Sequence, residues 1–289
     1  MSYFTIAGVQ MVALHHGDNT EAMRHRVNVL MSRFPQVQMV LFSELMPMGA
    51  SPHHAQPMPS NAEAMFCHLA EQHRIWLIPG SMFEEAEGGI YNTLSVINPH
   101  GQVTARYRKM FPFLPYEAGV ESGSEFVTFD VPNVGRFGVS ICYDMWFPET
   151  TRTLVAMGAE VILHPTMTDT IDRDIELSIA RTNAAVNQCY FFDINGAGAL
   201  GNGRSIVVGP SGDVIHQAGT GEEIMPIEVD LNRVRRERET GLRGLGQPLK
   251  SFRDRQVDFT VYQNPDRSSP FLNTLGPLAK PLRANVEDY

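Results

Sequence analysis

Apolar residues along this chain gather in short runs bounded by Gly, Pro, Asn and Ser. They are FTIAGVQ (4–10), MVLFSE (39–44), IWLIPGS (75–81), LSVINP (94–99), EFVTFDV (125–131), FGVSIC (137–142), EVILHP (160–165), YFFDIN (190–195), SIVVGP (205–210) and IMPIEVD (224–230). Run length and bounding turn residues predict strands. Several runs are apolar throughout, as expected of strands covered on both faces. Helical patterns lie between them. Residues 19–34 form one. Ser60-Asn61-Ala62-Glu63 is a capping box that opens a second, with Met65 and Leu69 on one face. Pro148 suits the first turn of a helix running through Glu149–Met157. Ile175, Ile179, Thr182 and Val186 stand at i, i+4, i+7 and i+11, which predicts an amphipathic helix over 172–187 with those residues on one face. Strand–helix alternation argues for an α/β fold with a largely buried sheet.

The pattern fades toward the C-terminus. No period of 20–50 residues and no low-complexity segment interrupts the chain. Residues 231–255 concentrate Arg and Gly, and the remainder is rich in Pro and Asn without periodicity. These shifts divide the chain into a domain over 1–230 and a C-terminal extension over 231–289. Such an extension needs something to pack on, and a partner subunit is the natural candidate. The arginine cluster reads as a solvated helix face that offsets acidic neighbours, or else as an interface or anion site.

Composition narrows the function classes. The 289 residues carry a formal charge of −9, with 43% apolar and 19% charged residues, which places the chain among ordinary globular proteins. The acidic balance argues against general nucleic-acid binding. No apolar run approaches the ~20 residues of a membrane span. MSYFTIAGVQ lacks a basic n-region and reads as a first strand rather than a signal peptide. The three cysteines, Cys67, Cys142 and Cys189, cannot all pair and show no CxxC spacing, so a reducing cytoplasm is expected.

Cys142 draws attention because it ends an apolar strand and precedes YDMWFPE, a turn into a helix. A thiol there faces unpaired helix N–H groups, which favour the thiolate. The ordinary fate of a free cysteine is a small core residue; Cys67, on the helix side away from Met65 and Leu69, and Cys189, before the run YFFDIN, read as inert. A cysteine nucleophile needs a base. His164 ends the next strand and could line the same sheet edge; the pairs His15-His16 and His53-His54 have no such placement. No HxH, HxxxH or HExxH spacing supports a metal site, and no cofactor is expected. Glu44 closes the strand MVLFSE, where a carboxylate is costly to bury unless paired or protonated. Lys109, in RYRK, precedes the aromatic, Pro-rich stretch MFPFLPYEAGVESG, which suits a loop over a site and contains Glu117.

FSELMPMG (Glu44), YRKMFP (Lys109) and CYDMWFPE (Cys142), in that order, resemble the nitrilase superfamily of carbon–nitrogen hydrolases. YNTLSVINPHG (91–101) and GNGRSIVVGPSGDV (201–214) support the match, which runs from about residue 4 to 230. YRKMFPFLPYE looks like the aliphatic-amidase and formamidase branch, where a second Glu follows the lysine loop at the place of Glu117. The resemblance implies a four-layer αββα sandwich, with two mixed sheets flanked by helices and the site in strand-end loops. It implies homo-oligomers, commonly dimers or larger, with C-terminal tails that wrap the neighbour.

It also implies catalytic residues Glu44, Lys109, Cys142 and Glu117. Cys142 would attack an amide carbon to form a thioester, with Glu44 as acid and base. Lys109 and the backbone N–H of Tyr143 would form the oxyanion hole. The family also hydrolyses nitriles and N-carbamoyl amines, and these stay open as alternatives; a catalytically inactive binding scaffold is the alternative of another class. Family members that accept carboxylates often carry an Arg just after CYD, and here Met145-Trp146-Phe147 follow instead. A neutral or apolar substrate end is therefore expected against Phe113, Trp146, Thr166 and Met167. Arg173, one short loop later, could reverse that inference. The chain is shorter than filament-forming nitrilases, which favours a linear amide over a nitrile.

Overall fold

The computed structural model of the protein describes residues 3–14, 17–264 and 267–280. The first half of the chain supplies β1 (Tyr3–Gln10), β2 (Met39–Phe42), β3 (Trp76–Ile78), β4 (Ser81–Ala86), β5 (Gly89–Ile97), β6 (Val103–Arg108) and β7 (Val120–Glu121). The second supplies β8 (Val127–Val131), β9 (Gly135–Val139), β10 (Val161–Pro165), β11 (Tyr190–Ile194), β12 (Ile206–Val208) and β13 (Val214–Gln217). Last comes β14 (Glu223–Asp230), which returns to the first sheet and runs antiparallel to β1. One sheet has the order β14-β1-β2-β3-β5-β4, with β6 and β7 also paired to β5; the other runs β13-β12-β11-β10-β9-β8. The middle of each sheet is parallel and its margins antiparallel, except that the short β7 runs parallel to β5.

Side chains alternate across each strand, and both faces are buried, which is why the runs are apolar throughout. Ile6, Met39, Leu41 and Ile78 of one sheet meet Phe137, Val139, Val161, Leu163 and Phe192 of the other in a shared core. The outward residues Ala7, Val9, Val40 and Phe42 pack on α1 (Thr20–Arg33) and α2 (Asn61–His73) through Met23, Val27, Leu30, Phe66 and Leu69. Ile162, Phe191 and Val208 pack on α3 (Pro148–Ala156) and α4 (Arg173–Asn187) through Leu154, Leu177, Ala180 and Ala184. The layers are helix, sheet, sheet, helix, the αββα sandwich that the resemblance implies.

Local chemistry departs from the sequence pattern at three places. Ser60 Oγ accepts the Glu63 N–H, but the Glu63 carboxylate does not complete the capping box; Ser95 and Arg106 take it instead. The apolar face expected of α4 is wrong: Ile175 and Val186 are exposed, while Leu177, Ala180, Asn183, Ala184 and Asn187 face inward. Small residues let this helix approach its sheet closely, so the buried stripe is the less apolar one. IWLIPGS is two strands rather than one, broken at Pro79-Gly80. The strands β6 and β13 escaped the pattern because they carry charged or polar residues on a solvent-facing side, and β4 because its buried Ser81 and Glu84 interrupt the apolar run.

Gly80 has φ +83°, and a Cβ there would stand 1.9 Å from the Ser43 carbonyl oxygen. The β3–β4 turn thus passes directly against the segment that carries Glu44. Gly80→Ala should destabilise the fold by about 1–3 kcal/mol or more, from overpacking and the left-handed backbone together. Thermal denaturation of the variant measures it.

Beyond β14, Leu231 and Val234 of α5 (Leu231–Thr240) join the central core. Arg233, Arg235 and Arg236 pair with Asp213, Glu160 and Asp230. After α6 (Pro248–Asp254) the described side chains are almost all exposed, among them Phe271, Leu275 and Leu278.

Candidate active site

Glu44, Lys109 and Cys142 all follow the C-terminal ends of strands, and the sandwich brings those ends together. Glu44 stands two residues past β2, where its N–H donates to the Thr166 carbonyl in the other sheet at 3.2 Å. Its side chain is buried, and Oε1 accepts from Asn92 Nδ2 and from Lys109 Nζ, both at 2.8 Å. Lys109 leaves β6 with its N–H on the Asn92 carbonyl and its own carbonyl on the Gly123 N–H, each at 2.8 Å. Nζ also reaches Glu117 Oε2 at 2.8 Å. That oxygen accepts the Phe113 N–H at 2.5 Å, so Glu117 ties its own loop to the ammonium.

Cys142 opens a 3-10 turn, Cys142–Trp146, with φ +46°. A left-handed backbone at a non-glycine residue is strained, and such strain gathers at functional sites. The thiol lies within electrostatic reach of Glu44 and Lys109 and beside the Met167 backbone. Lys109 thus links both carboxylates, and the sulfur stands next to that chain of charges.

Electrostatics fix the resting protonation of this network. Burial is the largest influence on Glu44 and raises its carboxyl above the ordinary value; the Lys109 charge opposes this and Glu117 adds to it. Burial works against the Lys109 charge, but Glu44, Cys142 and Glu117 together hold the ammonium well above its ordinary value. Burial and the Glu44 charge push the Cys142 thiol well up. The resting site thus holds a protonated thiol beside an ammonium.

The remaining candidates fall around it. The Phe113 ring lies 4.9 Å from that of Tyr143, whose ring is 6.1 Å from Trp146 and 5.3 Å from Phe147. Trp146 also packs on the α3–α4 core. Thr166 is fully buried and meets Glu44 through its backbone, and Met167 is half-buried beside the thiol. His164 is buried with Nδ1 on Ser140 Oγ at 2.8 Å; burial, then the Arg173 charge, push its ring down to about 3, so it is neutral and unsuited to hold a thiolate. Arg173 is buried and bonded to Asp193 at 2.8 Å and Glu176 at 3.2 Å. Burial pushes Cys189 up to about 12, and burial also raises Cys67. His53 and His54 form a separate short turn, while His15 and His16 lie outside the described residues. Among the described residues no cluster of three His, Cys, Asp or Glu is placed to hold a metal ion.

Sequence reasoning missed Asn92, Tyr107 and Asp144 as parts of this site. Asn92 stood in the quoted segment YNTLSV, where an Asn within an apolar strand was the available signal.

The chain matches the carbon–nitrogen hydrolase family over residues 6–239. It is similar to the ω-amidase NIT2 of Homo sapiens, 30% identical over 73% of this chain and 80% of that protein. The ω-amidase NIT3 of Saccharomyces cerevisiae is 32% identical over 60% of this chain and 65% of its own. Among solved structures, Saccharomyces cerevisiae Nit3, a member of branch 10 of the nitrilase superfamily, aligns with TM-score 0.75 and 27% identity over 82% of this chain and 94% of that one. A carbon–nitrogen hydrolase from Helicobacter pylori aligns with TM-score 0.76 and 25% identity over 90% and 97%.

Proposed function

Since the chain belongs to the carbon–nitrogen hydrolase family and is an amidase-type enzyme, we propose that it hydrolyses a small neutral linear amide through a thioester on Cys142. The observation that carries this reading is Lys109 Nζ at 2.8 Å from both Glu44 and Glu117, with the Cys142 thiol next to Glu44. Sγ attacks the amide carbon as its proton passes to Glu44 Oε. The carbonyl oxygen becomes an oxyanion beside Lys109 Nζ and the Tyr143 N–H, a first-turn donor of the kind a helix leaves unpaired. Each such donor is worth roughly 10²–10³ in rate. Glu44 then returns the proton to the nitrogen, the C–N bond breaks and ammonia or an amine leaves. Water attacks the thioester carbon, giving its proton to Glu44, and the departing sulfur takes that proton back. Glu117 holds Lys109 and orients the incoming molecule.

Cys142→Ala should abolish hydrolysis and leave the fold intact. Mass spectrometry of wild-type enzyme quenched during turnover should place the acyl group on the Cys142 peptide. Normal turnover by the variant, or adducts on Cys67 or Cys189, would remove the proposal.

A neutral far end is read from two places among the described residues where a carboxylate partner could stand. Met145-Trp146-Phe147 offers no cation, and the Arg173 guanidinium is committed to Asp193 and Glu176. An unpaired carboxylate there is costly to desolvate. Neutral amides should exceed ω-amide acids and alkyl nitriles in kcat/KM by at least ~10-fold, which corresponds to about 1.4 kcal/mol. A substrate panel decides it, and an advantage for ω-amide acids, the class named for the NIT2 relative, would reverse the reading.

Glu44 must be ionised to accept the proton. Its carboxyl is raised by burial, so kcat/KM should climb with pH through a value above that of an ordinary glutamate, and then stay level. A thiolate enzyme would instead gain activity as pH passes the thiol's own value. A pH–rate profile separates the two.

The same reading extends to assembly. Exposed Ile171, Ile175 and Val186 near and on α4, with Phe271, Leu275 and Leu278 in the extension over 231–289, suit burial against a second copy in the cytoplasm. Light scattering should give a dimer or larger.

A further inference from the structure

Asp144 is fully buried and meets three donors from two separate segments. Oδ2 accepts the Ile141 N–H at 2.8 Å and the Tyr107 hydroxyl at 2.7 Å. Oδ1 accepts the Phe111 N–H at 2.9 Å. Tyr107 and Phe111 stand two residues either side of Lys109, and Ile141 immediately precedes Cys142. The Tyr107 hydroxyl also accepts the Met110 N–H at 3.2 Å, so both flanks of Lys109 are held. From this geometry we infer that Asp144 is a positioning residue that fixes the Lys109 ammonium relative to the nucleophile turn. The inference rests on the oxyanion role proposed for Lys109 and deepens it.

The physical argument is one of reach. A lysine has four rotatable side-chain bonds, so its ammonium is only as fixed as its backbone and its partners. Glu44 and Glu117 hold Nζ itself, at the far end of that side chain. Asp144 instead ties the Tyr107 hydroxyl on one side of Lys109 and the Phe111 backbone on the other to the residue before the sulfur. A carboxylate can accept all three bonds, because an ionised Asp is acceptor-only. An amide in its place turns one acceptor into a donor facing donors. Oxyanion donors act within a few tenths of an ångström, and a small slip of this strand end removes the benefit without emptying the substrate pocket. Burial pushes Asp144 up to about 6, with all three of its hydrogen-bond partners and Lys109 drawing it down again, so it is largely ionised at neutral pH.

The test uses Asp144→Asn, Tyr107→Phe and Lys109→Met in the full chain, each checked for folding by thermal melting. Asp144→Asn should lower kcat at least ~30-fold, with KM within twofold of the parent, because ground-state binding does not pass through the ammonium. Tyr107→Phe should lower kcat several-fold in the same pattern. Combining either with Lys109→Met should add less than about threefold to the Lys109→Met loss, since both act through one group. Additive losses, or a rise in KM with kcat kept, would overturn the inference. If Asp144→Asn does not fold, Tyr107→Phe carries the same comparison. The proposed hydrolysis fails separately: wild-type enzyme would then show no acyl adduct on Cys142 at all.

Discussion

Replacing Glu44 by Gln should lower kcat about 10²–10⁴-fold, the usual worth of a positioned acid–base group, while the protein remains folded. Gln is the informative choice because its amide oxygen still accepts the bonds that Asn92 and Lys109 donate to Oε1. What it loses is the ability to receive the thiol proton. The Cys142 thiol is held well above its ordinary value by burial and then by the Glu44 charge. Removing that charge eases ionisation slightly, yet leaves no group to protonate the departing nitrogen. Acylation by an amide, with its poor leaving group, should therefore suffer more than acylation by an activated ester, which departs without a proton. Parallel kcat measurements on the two substrate types check this. An amide rate within ~10-fold of wild type would remove Glu44 from the proton path.

Lys109→Met should be comparably severe and differ in kind. It takes away the buried positive charge that two carboxylates share. Breaking a buried ionic pair from one side costs about 3–5 kcal/mol, since the remaining charges stay buried without compensation. Activity should fall at least about 10²–10³-fold through the lost oxyanion donor. The stability deficit has a pH signature. With the ammonium gone, the two carboxylates repel each other, and protonating one relieves the repulsion, so the folded variant takes up a proton more readily than its unfolded chain. Its deficit against wild type should then narrow as pH falls. Denaturant titrations at two pH values would show it, and a constant gap would mean that the ammonium is not what keeps the carboxylates together.

Much of the fold was legible because burial on both faces of a sheet leaves a plain mark: uninterrupted apolar runs such as MVLF and VILH. Half-exposed strands such as VTARYR leave a weaker mark, because every second residue answers to water. The face of α4 misled for a related reason. Close packing on a sheet favours Ala and hydrogen-bonded Asn, whereas its exposed ridge carries the large aliphatic residues. The convergence of the candidate residues was legible where an unusual residue stands at a strand end, as with Glu44 and Cys142. It was not legible at Asp144, where what matters is whom the carboxylate meets across 33 to 37 residues of intervening chain. Arg173 illustrates the opposite error: a cation near the site in sequence turns out to be occupied within the core.

The position of β1 has a consequence for how the molecule is made. It lies between β2 and β14, so this strand is made before both neighbours, one of them within about forty residues and the other at the far end of the domain. Until residue 230 has emerged from the ribosome, an apolar strand keeps a row of open N–H and C=O groups along one side. That is a template for pairing with other nascent chains. Chains stopped short of β14 should precipitate rather than yield a smaller folded unit, and high expression rates should favour inclusion bodies over native enzyme.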